Sequence, residues 1–376
     1  MNSRTIRAAL FAFVLSRAVF FALVVVGSNV AFLRKVYNDR LWETNVVLRG
    51  ERIVPAIVLT VMNGDAWWYR SIAVSGYERR PYAPGQANWA FFPLYPLTVR
   101  VLGGDFALSG MLVSHAALLG ALLLLPTLTI ACGGTEDDAA RACFYLAFFP
   151  TAYFLSLPLP ESLFLFLTVG AFAAAHRDRW WLAGLLGALA TATRPAGGLL
   201  LPALALLAIE RGTWRRALGW LLLIPLGAAA FLVHLYRLTG NAFAFEGAQE
   251  QWHRHAAMPW TPLVAFLRHP STIGEPWNLL ALNFVAALLI FFAAVWWLIR
   301  RQWSLGAYAA FSLLLPLASG SLQSMARYAA VVFPLFIAMA FMGRRAAVDR
   351  AIVAVSVALF GWLTALMILR VDFAWA

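Results

Sequence analysis

The chain is apolar for about twenty residues at a time, over and over, and that is the length of helix needed to cross a hydrocarbon core about 30 Å thick. The first run extends from about Ala8 to Leu33 and the second from about Phe106 to Ala131, ending at Gly133-Gly134. Barrel strands are half that length and alternate apolar with polar residues, a pattern not found here. Composition agrees, because 62% of the 376 residues are hydrophobic and only 12% charged, half of the roughly 25% that soluble domains carry. The expected fold class is all-α: a polytopic transmembrane helical protein forming a single membrane domain over 1–376.

Shorter apolar runs follow at about Ala142 to Leu157 and Ser162 to Ala175, joined by Pro158-Leu159-Pro160. The stretch from Trp180 to Ile209 is broken at Arg194-Pro195-Ala196-Gly197-Gly198. At about 1.5 Å per residue it is too long for one upright helix, so two short spans or a re-entrant pair are expected. Further runs lie at about Ala217–Tyr236, Trp277–Ile299, Leu305–Leu317, Tyr328–Met342 and Ala351–Leu369. The expectation is about eleven spans of the length the bilayer requires.

Charge orients them. The net charge of +12 comes from 28 Arg and a single Lys, Lys35. In a soluble chain that balance would suggest nucleic acid; here the basic residues cluster between apolar runs, so no nucleic-acid partner is expected and orientation explains them. With the amino terminus inside, Arg4, Arg7, Arg141, Arg177, Arg179, Arg211, Arg215, Arg216, Arg300, Arg301, Arg344, Arg345 and Arg350 all fall on the cytoplasmic side. Two long polar stretches then face out, a first loop over 34–105 and a second over 237–276, and form the expected extracytoplasmic active-site face, with short helices of their own. The basic amino terminus leads into a run too long for a signal peptide and reads as a retained first span. Cys132 and Cys143 read as unpaired core residues. The Arg-for-Lys bias fits a GC-rich bacterial genome, and the expected location is the inner membrane with the site outside.

Eight Asp and nine Glu are present, and none is expected mid-span. Ion-coupled transporters usually bury an acid near the midplane. The most informative segment is Asn63-Gly64-Asp65-Ala66-Trp67-Trp68-Tyr69-Arg70-Ser71-Ile72-Ala73-Val74-Ser75-Gly76-Tyr77. Asp65 suits the cap of a short helix ending at Gly76, and Asp65, Trp68, Tyr69 and Ile72 then share a face. A carboxylate beside aromatic rings also suits a sugar site, where rings cover a pyranose and the acid takes a hydroxyl proton. Both readings, cap and base, stay open at this point. In Phe91-Phe92-Pro93-Leu94-Tyr95-Pro96, two prolines three apart interrupt regular helix, which reads as a packed lead-in to the second span.

Taken in order, these segments resemble the PIG-V family, the transferases that add the second mannose of GPI anchors, and their bacterial relatives. The resemblance is carried by Asp65 through Tyr77, by Phe91 to Pro96, and by Phe148-Phe149-Pro150 leading to Glu161-Ser162-Leu163-Phe164. It continues with Arg194 to Gly197, with Gly240 to Phe245 and Ala248-Gln249, with Trp252-His253-Arg254, and with Arg327-Tyr328 before Pro334-Leu335. The family usually has Trp immediately before the acid, where this chain has Gly64. The resemblance implies a glycosyltransferase of the GT-C type, moving a hexose, mannose first, from a polyprenyl-phosphate donor to an extracytoplasmic hydroxyl with inversion. The acceptor would be a glycolipid, glycan or protein. The alternative is a transporter or flippase of a lipid-linked sugar, against which the lack of an inverted repeat weighs.

On that reading Asp65 is the base, and Arg194 and Arg327 hold the donor phosphate. Trp68, Tyr69, Glu161, His253 and Arg254 line the substrate site. No cofactor is expected beyond the lipid-linked donor, and no metal, since the chain has no Asp-x-Asp pair and His253 and His255 lack a companion acid or Cys. His115 and His234 read as satisfied packing residues. Arg17, about ten residues into the first span, costs ~2.5 kcal/mol or more unless paired, so a buried partner or a lipid phosphate is expected.

Overall fold

The computed structural model describes residues 2–38, 53–249, 254–270 and 279–369, and every regular element among them is helical. Helix α1 (Ser3–Asn38) is followed by three short helices of the first polar loop, α2 (Ile53–Val61), α3 (Ala66–Ser75) and α4 (Leu94–Leu102). Then come α5 (Phe106–Ala131), α6 (Glu136–Ala147), α7 (Glu161–Ala175), α8 (Trp180–Thr193) and α9 (Leu200–Glu210). The chain continues through α10 (Trp214–Leu221), α11 (Leu226–Thr239), α12 (Ala244–Gln249), α13 (Thr261–Arg268) and α14 (Leu279–Ile299). It ends with α15 (Trp303–Leu317), α16 (Met325–Ala329), α17 (Phe333–Met342) and α18 (Ala346–Ile368).

Among the described residues, five stretches are long and apolar enough to cross a membrane: Ser3–Gly27 of α1, α5, the α10–α11 pair, Leu280–Ile299 of α14, and α18. Five shorter apolar helices pack among them: α7, α8, Pro195–Glu210, α15 and α17. Helix α1 lies against α5, α6 and α18, while α5 packs on α7 and α7 on α8. Contact between helices in such a bundle favours small residues. A Cβ on Gly184 would stand 2.1 Å from the Trp220 carbonyl oxygen, and one on Gly227 would stand 1.9 Å from that of Ala188. These glycines let α8 touch the backbones of α10 and α11.

Two expected elements differ. The apolar run Ala142–Leu157 is not one helix: α6 stops at Ala147, and Phe148 to Pro160 forms turns around a short 3-10 segment, Ala152–Ser156. Pro150 breaks the run locally, and the freed carbonyls are taken up by Arg17. It is 4% exposed, and its Nη2 donates to the Ala147 carbonyl at 3.0 Å while its Nη1 donates to the Ala152 carbonyl at 3.3 Å and to the Ser156 hydroxyl. The expected buried partner is thus a set of backbone carbonyls and a hydroxyl, which satisfy the guanidinium without neutralising it. The second difference is α4. Its prolines do not forbid a helix, because Pro93 is the cap and Pro96 lies in the first turn, where no amide is needed. Gly103, with φ 71°, then ends α4 as an element separate from α5.

The break at Arg194 is as expected: α8 and α9 are two short helices joined by a 3-10 turn, Pro195–Leu199. They run out and back, since Arg211 after α9 pairs with Asp178 before α8 at 3.2 Å. Cys132 and Cys143 are free and buried, as expected. His115 departs in part. It stacks on Phe21, and its Nδ1 lies 2.7 Å from the Met111 carbonyl, but its Nε2 is buried without a partner.

The residues assigned inside by charge meet one another. Arg4 bonds Asp137 at 2.7 Å, Arg344 bonds Asp138 at 2.7 Å, and Glu210 accepts from the Ser304 amide and hydroxyl, both at 2.9 Å. Asp138 also closes a capping box with Thr135 at the start of α6. Burial works against its charge, but Arg344 and Thr135 hold its carboxyl below the ordinary value. A depressed carboxyl contributes stability above its unfolded value that is lost as pH falls through the folded one. Asp138→Asn is therefore expected to cost about 1–2 kcal/mol, a lost cap plus a half-exposed pair, and to flatten the acid limb of a thermal-stability profile.

Candidate active site

The opposite end of α7 carries the other charge cluster. Helix α7 begins at Glu161 and ends at Ala175, just before the Asp178–Arg211 pair, so its fifteen residues, at about 1.5 Å each, separate the two ends. Glu161 is fully buried. Its Oε1 accepts from Arg327 Nε at 2.6 Å and lies 3.3 Å from Arg194 Nη1, while Oε2 is buried with no hydrogen-bond partner among the described residues. The same Arg327 donates from Nη1 to Asp65 Oδ2 at 2.6 Å. One guanidinium thus bridges two carboxylates through two different nitrogens. Burial would lower its pKa, but Glu161 and Asp65 more than offset that and hold it charged.

Arg327 is placed by its own short helix. Ser324 adopts left-handed backbone (φ 65°) to start α16, and the next turn is pinned from both sides. The Thr151 hydroxyl donates to the Ala326 carbonyl at 2.7 Å, and the Ala326 amide donates to Asn283 Oδ1 at 2.8 Å. The guanidinium then lies 4.9 Å from the centre of the Phe154 ring. Phe154 belongs to the 3-10 segment that Arg17 holds open, so the arginine in the first span supports the one at the site.

Asp65 stands where a capping residue would, but its side chain makes no capping bond and its backbone is already helical (φ −58°, ψ −22°). Of the two readings of this residue, the carboxylate is turned to Arg327 and away from the free amides of α3. The side chain is 30% exposed, against 9% for Arg327. Tyr69, one turn on, is buried against Phe91 and Tyr95. Burial raises its phenol pKa well above the ordinary value, and the charges of Arg194, Glu161, Asp65 and Arg327 all act on it. Trp68 does not share the buried face expected of it with Tyr69 and Ile72: it stacks on Phe91 and lines the other side of α3 with Trp67, Ser71 and Ser75.

A second pair of guanidiniums faces the Tyr328 ring. Arg194 lies 5.3 Å and Arg254 5.7 Å from its centre, and Arg254 Nη2 donates to the phenol oxygen at 2.6 Å. Arg254 is carried there by a short extended pairing, in which the amides of His255 and Ala257 donate to the carbonyls of Ser319 and Ala318. Asp65, Glu161, Arg194, Arg327, Tyr69 and Arg254 are thus gathered at one place, and Trp68 borders it. His253 lies outside the described residues. Tyr328, Thr151, Asn283 and Phe154 were missed; a lone Asn in the apolar run of α14 was the available signal. Among the described residues no three His, Cys, Asp or Glu side chains come together as metal ligands.

No family model matches the chain. It is 32% identical over 161 residues to GPI alpha-1,6-mannosyltransferase 2 of Cricetulus griseus, a match covering 39% of this chain and 31% of the relative. The chain therefore matches about a third of that curated relative's length, and the similarity falls where the ordered motifs pointed, on PIG-V. Among solved structures, the Archaeoglobus fulgidus oligosaccharyltransferase tethered with an acceptor peptide has a TM-score of 0.46 and 18% identity, over 81% of this chain and 49% of that one. An archaeal oligosaccharyltransferase from the same organism, in complex with an inhibitory peptide and a dolichol-phosphate, has a TM-score of 0.45 and 14% identity, over 83% of this chain and 52% of that one.

Proposed function

We propose that the chain is a membrane glycosyltransferase moving a hexose, mannose first, from a polyprenyl-phosphate donor to an acceptor hydroxyl on the outer side of the bacterial inner membrane. The observation that carries this is the shared cluster: a partly exposed carboxylate, Asp65, on a guanidinium that is itself anchored by a buried carboxylate, Glu161. Around it three guanidiniums face two carboxylates, which leaves one positive charge for an anionic leaving group. The similarity to a mannosyltransferase supports the choice of sugar.

In this reading Asp65 accepts the acceptor's hydroxyl proton. Arg327 occupies only its Oδ2, which leaves Oδ1 toward the substrate. The acceptor oxygen forms the new bond to the anomeric carbon as the bond to the phosphate oxygen breaks, and a single displacement inverts that centre. The departing phosphate gains charge, which charge-assisted hydrogen bonds stabilise. Arg327 is already committed to Glu161 and Asp65, so the phosphate falls to Arg194 and Arg254, both beside Tyr328, with Arg327 holding the base in place. Arg254→Ala is expected to weaken donor use by roughly 10–100-fold, the value of a hydrogen bond to a charged group, visible in kcat/KM for the donor.

The reaction is tested with the purified chain and polyprenyl-phosphate mannose labelled in the sugar. Label transferred to an acceptor or released as free sugar supports the proposal. Label that crosses a vesicle membrane with its glycosyl bond uncut would identify a transporter instead.

A further inference from the structure

An inverting displacement has a geometric demand that the phosphate end of the site does not meet. The acceptor oxygen must arrive on the face of the sugar opposite the departing phosphate, so the acceptor needs its own seat on the other side of Asp65. Helix α3 separates two such sides. Ala66, Tyr69, Ile72 and Ala73 are buried on one of them, toward Arg194, Glu161 and Arg327. Trp67, Ser71 and Ser75, each four residues from the next, lie with Trp68 on the other and line a hollow of about 500 Å³ with Tyr77 and Glu78. Asp65 begins the helix on the edge between the two, with Tyr69 four residues on and Trp68 three.

The hollow has the chemistry of a carbohydrate site. Its volume lies within the range of about 300–1,000 Å³ typical of small-ligand sites. Indole faces suit the apolar C–H face of a pyranose, and Trp67 is half exposed at 51%. The Ser75 hydroxyl and the carboxylate of Glu78 supply partners for sugar hydroxyls, while the Ser71 hydroxyl is spent within the wall, donating to the Trp68 carbonyl at 2.8 Å. Glu78 is held in place, with Oε2 accepting from Arg80 at 3.1 Å and Oε1 from the Asn88 amide at 3.4 Å. Asn88 in turn braces the wall, donating from Nδ2 to the Gly76 carbonyl at 3.1 Å and to Ser71 Oγ at 3.3 Å.

We propose that this groove is an acceptor subsite for an oligosaccharide of two or three hexoses, whose terminal hydroxyl reaches Asp65 past Trp68. The proposal rests on the transferase reading and narrows its acceptor to a glycan chain. The test uses the full chain in nanodiscs with Ser75→Cys, labelled by a membrane-impermeant maleimide. Both native cysteines are buried, so background labelling is low. Position 75 is expected to label readily, and mannotriose at ten times its Kd is expected to slow labelling roughly tenfold. Trp67→Ala is expected to abolish that protection while labelling itself persists, and Asp65→Asn is expected to leave protection in place. An unlabelled position 75, as on a face covered by lipid, would overturn the subsite. So would labelling that mannotriose does not slow. Protection without any sugar transfer would support the subsite and remove the reaction; transfer without protection would do the reverse.

Discussion

Asp65→Asn is expected to lower sugar transfer at least about 100-fold, because a general base is worth roughly 10²–10⁴ in rate and an amide cannot take the proton. The substitution keeps the shape of the side chain, and Arg327 keeps its 2.6 Å bond to Glu161, so the melting temperature is expected to change little. Donor binding is also expected to persist, since Arg194 and Arg254 do not touch Asp65. The pattern to look for is therefore a fall in kcat with the KM for polyprenyl-phosphate mannose nearly unchanged. A scaffold role for the chain would leave transfer intact in this variant and alter only partner binding. Retained turnover, with Arg327 still paired, would remove Asp65 as the base.

What the sequence disclosed follows from how local each signal is. Helices α1, α5, α14 and α18 were legible because a long apolar run needs no partner to identify it. The end of α6 was legible only in part: Pro150 breaks the run locally, but that Arg17, over a hundred residues earlier, takes up the freed carbonyls of Ala147 and Ala152 could not be read from it. The same limit applies at the site. An aspartate before a helix fits a cap and a base equally well, and that Asp65 makes no capping bond but turns to Arg327, 262 positions away, appears only in the fold. Arg327 and Arg194 were foreseen together as phosphate ligands. The division of work proposed for them rests on Glu161 being wholly buried and claiming Arg327 through Nε, which no local signal announced. Tyr328 was quoted as part of a motif, yet its nearness to two guanidiniums appears only when His255 and Ala257 pair with Ser319 and Ala318.

Arg327→Leu is expected to be the most destabilising single change at the site. It would leave Glu161 fully buried with only Arg194, at 3.3 Å, for a partner, and removing one member of a buried pair typically costs about 3–5 kcal/mol. Arg327→Lys is expected to rescue little, because the bridge uses two nitrogens of a planar fork and one ammonium cannot reproduce both bonds. The cost should arise from the stranded carboxylate rather than from a lost contact, and that is separable. In the double variant Arg327→Leu with Glu161→Leu the uncompensated charge is gone, and apolar replacement of a buried pair is often neutral or better. The double variant is therefore expected to recover most of the stability in thermal unfolding while remaining inactive, since nothing then holds Asp65. Equal instability in the single and double variants would show that packing under Phe154, and not the charge on Glu161, is what Arg327 supplies. Recovery of activity in the double variant would show that Asp65 needs no guanidinium beside it.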